Sequence, residues 1–196
     1  MSIRSFIAIK IPPSLGIKLA DLPRQVGGLP GSIRWVGPDN IHLTLKFLGD
    51  ILPKQIGPIA DCMREAARGI GPLSLSPLGV GAFPNESRPR VIWVGIVEES
   101  GALLRMQGEL EKRLRRLGFP REGKGFTPHL TVGRVRSPLG RGSSLAPVIH
   151  ALDSAWKGDE DSFQVDRFYL MQSELKPSGA VYSVLEEVPF SPKGEK

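Results

Sequence analysis

Cysteine, histidine, threonine and tyrosine are all scarce in this chain: one Cys, three His, three Thr and two Tyr among 196 residues. A single cysteine, Cys62, excludes an intrachain disulfide and any cysteine-based zinc cluster. It falls in a helix-like segment and reads as a small buried apolar residue. Long apolar runs are missing too, and nothing approaches the roughly 18 residues of a membrane span. Residues 1–19 carry Arg4, Lys10, Lys18 and two prolines, which break up the apolar stretch a signal peptide needs. We therefore expect a cytoplasmic protein with no membrane partner. Neither a Gly/Ser repeat nor a block of like charge marks a disordered segment.

Basic charge and turn formers are plentiful. The net charge of +6 and pI of about 9.7 suit a polyanionic partner, and equally an ordinary basic soluble protein. The 23 Gly and 18 Pro imply many turns between short elements. With 40% hydrophobic and 23% charged residues, the chain can bury the core of one domain or of one duplicated domain.

Periodicity and turn residues predict strands over 5–11, 33–36, 40–48, 73–83, 90–97, 126–135, 163–173 and 181–188. Helices are predicted over 14–26, 53–68, 102–117 and 145–156, with Ser14 as N-cap of the first. The strand over 40–48 is expected to stop at Gly49-Asp50. The order strand, helix, strand, helix, strand describes residues 5–83 and again 91–173. We read an internal duplication within a single domain of residues 1–196, closed by the strand over 181–188. The Gly- and Ser-rich segment 137–144 has no assignable role, and the polar tail 191–196 is expected to fray.

The scarce residues coincide. His42-Leu43-Thr44 and His129-Leu130-Thr131 repeat one tripeptide 87 residues apart. With Thr at three of 196 positions, a given His meets one two residues on with a chance of about 1.5%, and two such meetings are roughly a one-in-a-thousand coincidence. Each copy lies in an apolar run that reads as a strand, so His and Thr share a face. Strict alternation adds Lys46 to the face of His42 and Thr44, and puts Leu43, Leu45 and Phe47 on the other. It adds Gly133, with room for a ligand or an opposing strand, to the face of His129 and Thr131. Arg134 falls on the opposite face unless a bulge intervenes.

Two imidazoles and two hydroxyls around one phosphorus would form a complete acid–base site. One neutral His accepts a proton from water, one charged His gives a proton to the leaving oxygen, and the Thr hydroxyls hold non-bridging oxygens. Lys46 and Arg134 are weaker candidates for phosphate contact. No metal is needed, and none is expected: there is no His-x-His or HExxH spacing, and Thr is a poor ligand. The bland alternative, a histidine satisfied within a core, fits a lone copy better than a matched pair. His150 has no Thr partner and reads as structural. The Arg113, Arg115, Arg116 cluster reads as a solvated helix face rather than an RNA track, and Trp35, Trp93 and Phe83, which could stack a base, fit core packing better.

The paired motifs, extended to His42-Leu43-Thr44-Leu45 and His129-Leu130-Thr131-Val132, resemble the His-x-Thr-x signature of the two-histidine phosphoesterases. Arg4-Ser5-Phe6-Ile7-Ala8-Ile9, Arg34-Trp35-Val36, Phe47-Leu48-Gly49, Arg90-Val91-Ile92-Trp93-Val94-Gly95 and Phe126-Thr127-Pro128-His129 narrow the resemblance. They look like the bacterial and archaeal RNA 2′,3′-cyclic phosphodiesterases, also called 2′-5′ RNA ligases. The resemblance implies an α+β, bilobal fold, with two antiparallel sheets facing across a central cleft and helices outside. It implies metal-free and cofactor-free opening of RNA 2′,3′-cyclic phosphate ends to 2′-phosphates, with tRNA fragments as candidate substrates and a monomer as the acting form. It implies His42 as proton donor and His129 as acceptor, a polarity the residues alone do not set. Three alternatives stay open: 2′-5′ RNA ligation, hydrolysis of a small cyclic phosphate such as an ADP-ribose derivative, and non-catalytic binding of RNA ends.

Overall fold

The structure, a computed structural model, describes residues 2–27, 29–123, 125–136, 144–158, 161–177 and 179–192. Segment 137–143 and the tail from 193 lie outside them. Four helices and nine strands follow in chain order: β1 (Ile3–Lys10), α1 (Pro13–Val26), β2 (Ile33–Trp35), β3 (His42–Ile51), α2 (Ile56–Ala67), β4 (Leu73–Phe83), β5 (Val91–Val97), α3 (Ala102–Arg116), β6 (His129–Val135), α4 (Ala146–Ala155), β7 (Phe163–Val165), β8 (Arg167–Lys176) and β9 (Gly179–Pro189). Among these, no helix is long and apolar enough to cross a membrane.

Every named strand pairing is antiparallel, in the order β7-β4-β5-β6-β3-β1-β8-β9, with β2 also on β6. Two groups of strands are continuously paired. One is β3-β1-β8-β9, and the other is β7-β4-β5-β6 with β2. They meet at a single residue pair, Leu43 opposite Leu130. The sheet curls at this seam into the two lobes expected.

Helices cover one face. On α1 the residues at helical spacing, Leu15, Leu19 and Leu22, are buried, and on α3 so are Leu103, Met106, Leu110 and Leu114. Both stripes join one core with Leu43, Leu45, Leu130 and Val132. Each fully buried Leu or Val contributes about 1.5–3 kcal/mol by leaving water, so the alternate residues of the motif strands are fixed inward. The His and Thr residues must then face the side without helices. There a smaller cluster of Phe6, Ala8 and Met171 packs with Tyr169 and Tyr182.

Three local expectations need correcting. Ser14 does not cap α1: Pro12 holds the N-cap position, Pro13 enters the first turn, and no side chain caps the helix. Proline's fixed φ suits that first turn without a cap. Gly49-Asp50 does not stop β3, because Gly49 takes a left-handed φ of 72° inside the strand and pairing with β1 continues to Ile51. Cys62 is half-buried rather than buried, at the margin of the apolar stripe of α2, and burial pushes its thiol pKa up.

Candidate active site

The Leu43–Leu130 pair determines what surrounds it. In an antiparallel ladder, directly opposed residues point to the same face and their neighbours to the other. Leu43 and Leu130 point into the core. Continuing the register sets His42 toward Thr131 and Thr44 toward His129, all four on the open face. The two His are therefore diagonal neighbours, at a separation on the order of 7–8 Å in a regular ladder. That spacing leaves room for one phosphate between them.

Both motif strands then break alternation at the same place. On β3, Ala8 pairs with Thr44 and Ile7 with Lys46, so Leu45 is an extra residue. On β6, Trp93 pairs with Thr131 and Ile92 with Gly133, so Val132 is extra. Each bulge falls on the fourth position of its His-x-Thr-x motif and turns the following residues over.

This overturns the expectation for Lys46. It points into the core, 2% exposed, with Nζ 2.9 Å from Glu111 Oε1 and donating to the Pro120 carbonyl at 2.6 Å. Its charge is neutralised there and takes no part in phosphate contact. Phe47, expected inward, is instead 59% exposed on the site face. The bulge on β6 meets the condition set for Arg134, which turns to the site face and shares a cleft with His42. Gly133 turns away from the site, and the space beside it holds Trp35, whose ring lies 2.9 Å from where a Cβ would stand. The room expected for a ligand there is filled by protein.

Both imidazoles are oriented alike. His42 Nδ1 lies 2.9 Å from the Asn40 carbonyl, and His129 Nδ1 lies 2.6 Å from the Thr127 carbonyl. A carbonyl only accepts, so each Nδ1 carries the hydrogen and each Nε2 is left for substrate. Asn40 is held by the short 3-10 turn Pro38–Asn40, and Thr127 precedes Pro128, which biases it to extended backbone. Aromatic rings brace each His. Phe6 stacks on His42 at 4.8 Å, and Tyr182 meets it edge-on at 5.2 Å. Phe83 meets His129 edge-on at 5.0 Å, with Trp93 at 6.2 Å. Phe83 and Trp93, for which core packing is expected ahead of base stacking, thus flank His129.

These walls partly bury the imidazoles and so set their protonation. Burial lowers the His42 pKa to about 4 against a partial offset from the Asn40 carbonyl, and the Arg134 and His129 charges lower it further. Burial lowers His129 as well, again with help from Arg134, while the Thr127 carbonyl and Glu122 oppose it. Without ligand, both histidines are neutral at pH 7. A bound phosphate adds the negative charge that favours an imidazolium.

A cleft of about 1210 Å³ opens beside His42 and Arg134, bordered by Phe6, Asn40, Trp35 and Tyr182. The sequence gives no sign of Phe6 and Tyr182 as His42 partners, since they come from β1 and β9 at opposite ends of the chain. His150 lies away from the motif pair, exposed beside Glu86 at 3.1 Å. Arg113 pairs with Glu65 and Glu109, while Arg115 and Arg116 are exposed on α3. Among the described residues, no three His, Cys, Asp or Glu side chains gather as a metal site.

Known proteins share this architecture. An RNA 2′,3′-cyclic phosphodiesterase of Archaeoglobus fulgidus is 35% identical over 93% of this chain and 97% of its own. One from Methanothermobacter thermautotrophicus is 33% identical over 95% of this chain and 98% of its own. A crystal structure from Thermus thermophilus superposes with a TM-score of 0.76 at 28% identity, covering 97% of this chain and all of that one. E. coli LigT complexed with 3′-AMP shares the fold at a TM-score of 0.76 and 20% identity, covering 97% of this chain and 99% of that one. The family model described as LigT-like phosphoesterase matches twice in succession, over residues 9–93 and 94–182, so each match contains one His-Leu-Thr motif. A chain matched twice, once around each histidine, belongs to the LigT-like phosphoesterase family.

Proposed function

We propose that this protein hydrolyses RNA 2′,3′-cyclic phosphate ends to 2′-phosphates by acid–base catalysis between His42 and His129. The observation that carries this reading is the pair of Nδ1–carbonyl tethers, which leave two Nε2 atoms for substrate across one seam. The names of the relatives, RNA 2′,3′-cyclic phosphodiesterases, support it over ligation, a small-molecule substrate or mere binding of RNA ends.

The cyclic phosphate sits between the two imidazoles. His129 Nε2 accepts a proton as water attacks phosphorus. The P–O3′ bond breaks, and His42 Nε2 gives a proton to the departing 3′ oxygen. Thr44, Thr131 and Arg134 hold the non-bridging oxygens as charge builds on them. Burial, helped by the Arg134 charge, keeps both free imidazoles neutral, and a bound phosphate anion favours the charged form. The donor is thus charged in the complex. His42 as donor follows the family resemblance. We extend the reading to tRNA fragments as substrates and to a cytoplasmic monomer, the latter checked by sedimentation of the purified chain.

The test is turnover of an oligonucleotide ending in a 2′,3′-cyclic phosphate, in EDTA, with His42→Ala and His129→Ala alongside. Turnover in wild type that each variant lowers by about 10²–10⁴-fold supports the mechanism. Loss of wild-type turnover in EDTA, or a variant with full activity, refutes it.

A further inference from the structure

The cleft does not end at the reacting phosphate. Beyond Arg134 its wall carries Arg4, Arg34 and Arg136, with Asp50 as its one acidic lining residue. All four arginines are exposed. Among the described residues none of them is in an ion pair.

Two of them are set against the fold's own stability. Arg34 on β2 lies directly opposite Arg134 on β6. Like charges in such a pair repel and destabilise the sheet. Arg136 follows two residues on, about 7 Å along the chain at the rise of a strand, and its amide donates to the Ser32 carbonyl at 2.8 Å, which prolongs the β2–β6 pairing. Across the cleft, Arg34 Nη2 reaches the tip of the β8–β9 hairpin: a Cβ on Gly179 would stand 3.0 Å from it. Asn40 donates to the Ala180 carbonyl of the same tip at 3.1 Å. Arg34, Arg134 and Arg136 are therefore backed by the paired β2 and β6, and Arg34 approaches the hairpin on the far side.

Apolar surface lies beside the charge. Phe47 is 59% exposed, and Leu175 and Val181 of the hairpin are 70% and 43% exposed, all lining the same cleft. Alternating guanidinium and apolar surface matches a single nucleic-acid strand, whose phosphates pair with Arg and whose bases lie on flat apolar or aromatic groups. A small cyclic phosphate fills only the end of this cleft at His42.

From this we infer that the Arg4–Arg34–Arg136 wall is a binding track for the RNA strand on the 5′ side of the cyclic phosphate, making an oligonucleotide end the preferred substrate over a cyclic mononucleotide. The inference rests on the proposed function. A cyclic phosphate closes the 3′ end, so the strand can extend from the reacting nucleotide only toward its 5′ side. Arg134 holds the reacting phosphate, and the other three arginines meet those upstream.

The experiment compares kcat/KM for adenosine 2′,3′-cyclic phosphate and for a decanucleotide with the same terminal nucleotide, in wild type, Arg34→Ala/Arg136→Ala and Arg34→Lys/Arg136→Lys. Wild type should prefer the decanucleotide by at least about tenfold, and the double alanine variant should lose most of that preference through KM. Removing two phosphate-binding cations should also flatten the salt dependence of log kcat/KM by about 1.4, since each contributes about 0.7 on a single strand. The lysine variant should retain most of the slope. A wild type active on both substrates without preference overturns this inference alone, as does an alanine variant that lowers both equally. A wild type inert on both overturns the proposed function and this inference with it.

Discussion

The two motif strands make the same bulge and support it with different groups. Behind the bulge of β3 lies a buried polar network: Lys46 against Glu111, and Gln107 donating to the carbonyl of the extra residue, Leu45, at 3.2 Å. Behind the bulge of β6 the carbonyl of the extra residue, Val132, accepts from the Val36 amide at 2.9 Å, and Gly133 lies against the ring of Trp35. A bulge leaves a backbone group without its ladder partner, and that group must be satisfied or packed over. A side chain of α3 supplies the donor to one bulged carbonyl and the main chain just after β2 supplies it to the other, where a glycine also lets an indole close in. The histidines differ as well: burial lowers the His42 pKa to about 4, while the lowering of His129 by burial is opposed by the Thr127 carbonyl and Glu122. A repeated motif can thus retain its backbone geometry while its two copies take on different chemical duties.

The largest effect should come from separating those duties. An aryl phosphodiester leaves without needing a proton. On such a substrate His42→Ala should recover by a hundredfold or more relative to the RNA end, within the 10²–10⁴-fold range of acid catalysis. His129→Ala should stay impaired on both. Recovery in His129→Ala instead would reverse the assignment.

Next comes the buried network. Lys46→Met leaves Glu111 charged and unpaired in the core, which costs about 3–5 kcal/mol. Urea unfolding should show that loss, and Lys46→Met/Glu111→Leu should regain most of it. A single variant as stable as wild type would mean that the pair is dispensable.

On the other strand, Gly133→Ala drives a methyl to within 2.9 Å of Trp35. Overpacking of this kind costs about 1–3 kcal/mol, and activity should fall further than stability because Arg134 follows directly. Trp35→Phe in the same chain should relieve part of both effects. If it relieves neither, the ring is not what confines Gly133.

The smallest effect is in pH. A histidine held neutral in the fold and titrating near 6.5 when unfolded means that the unfolded chain binds more protons between those values. Stability is therefore full above pH 6.5 and falls as pH drops toward about 4, the folded value of His42. His42→Gln should flatten that part of the profile. The kcat/KM optimum, which reports free enzyme, should lie acid of the kcat optimum, because bound phosphate raises the imidazole pKa. Coincident optima would deny the phosphate that role.

Much of the frame was legible because it is periodic. The stripe of α3 appears as Leu103, Met106, Leu110 and Leu114, and the observed helix ends within one residue of the expected Leu117. The histidine and threonine pairs stood out by rarity, and alternation gave them a common face. Alternation failed where an extra residue enters: nothing in Thr44-Leu45-Lys46-Phe47 announces a bulge, so Lys46 and Phe47 exchanged places. Arg134 was tied in advance to a bulge that the fold supplies. The Leu43–Leu130 seam and the Phe6–His42–Tyr182 packing join residues far apart in the chain, and local pattern carries no trace of them.

The orienting partners of both histidines are main-chain carbonyls, two residues upstream in each case. In a serine protease triad the orienter is an aspartate, and one substitution removes it. Here every residue at position 40 or 127 still brings a carbonyl. A substitution scan of this protein would find the two histidines and pass over what aims them. The tautomer is inherited with the peptide backbone, and only a change of chain path, such as an insertion ahead of either strand, would lose it.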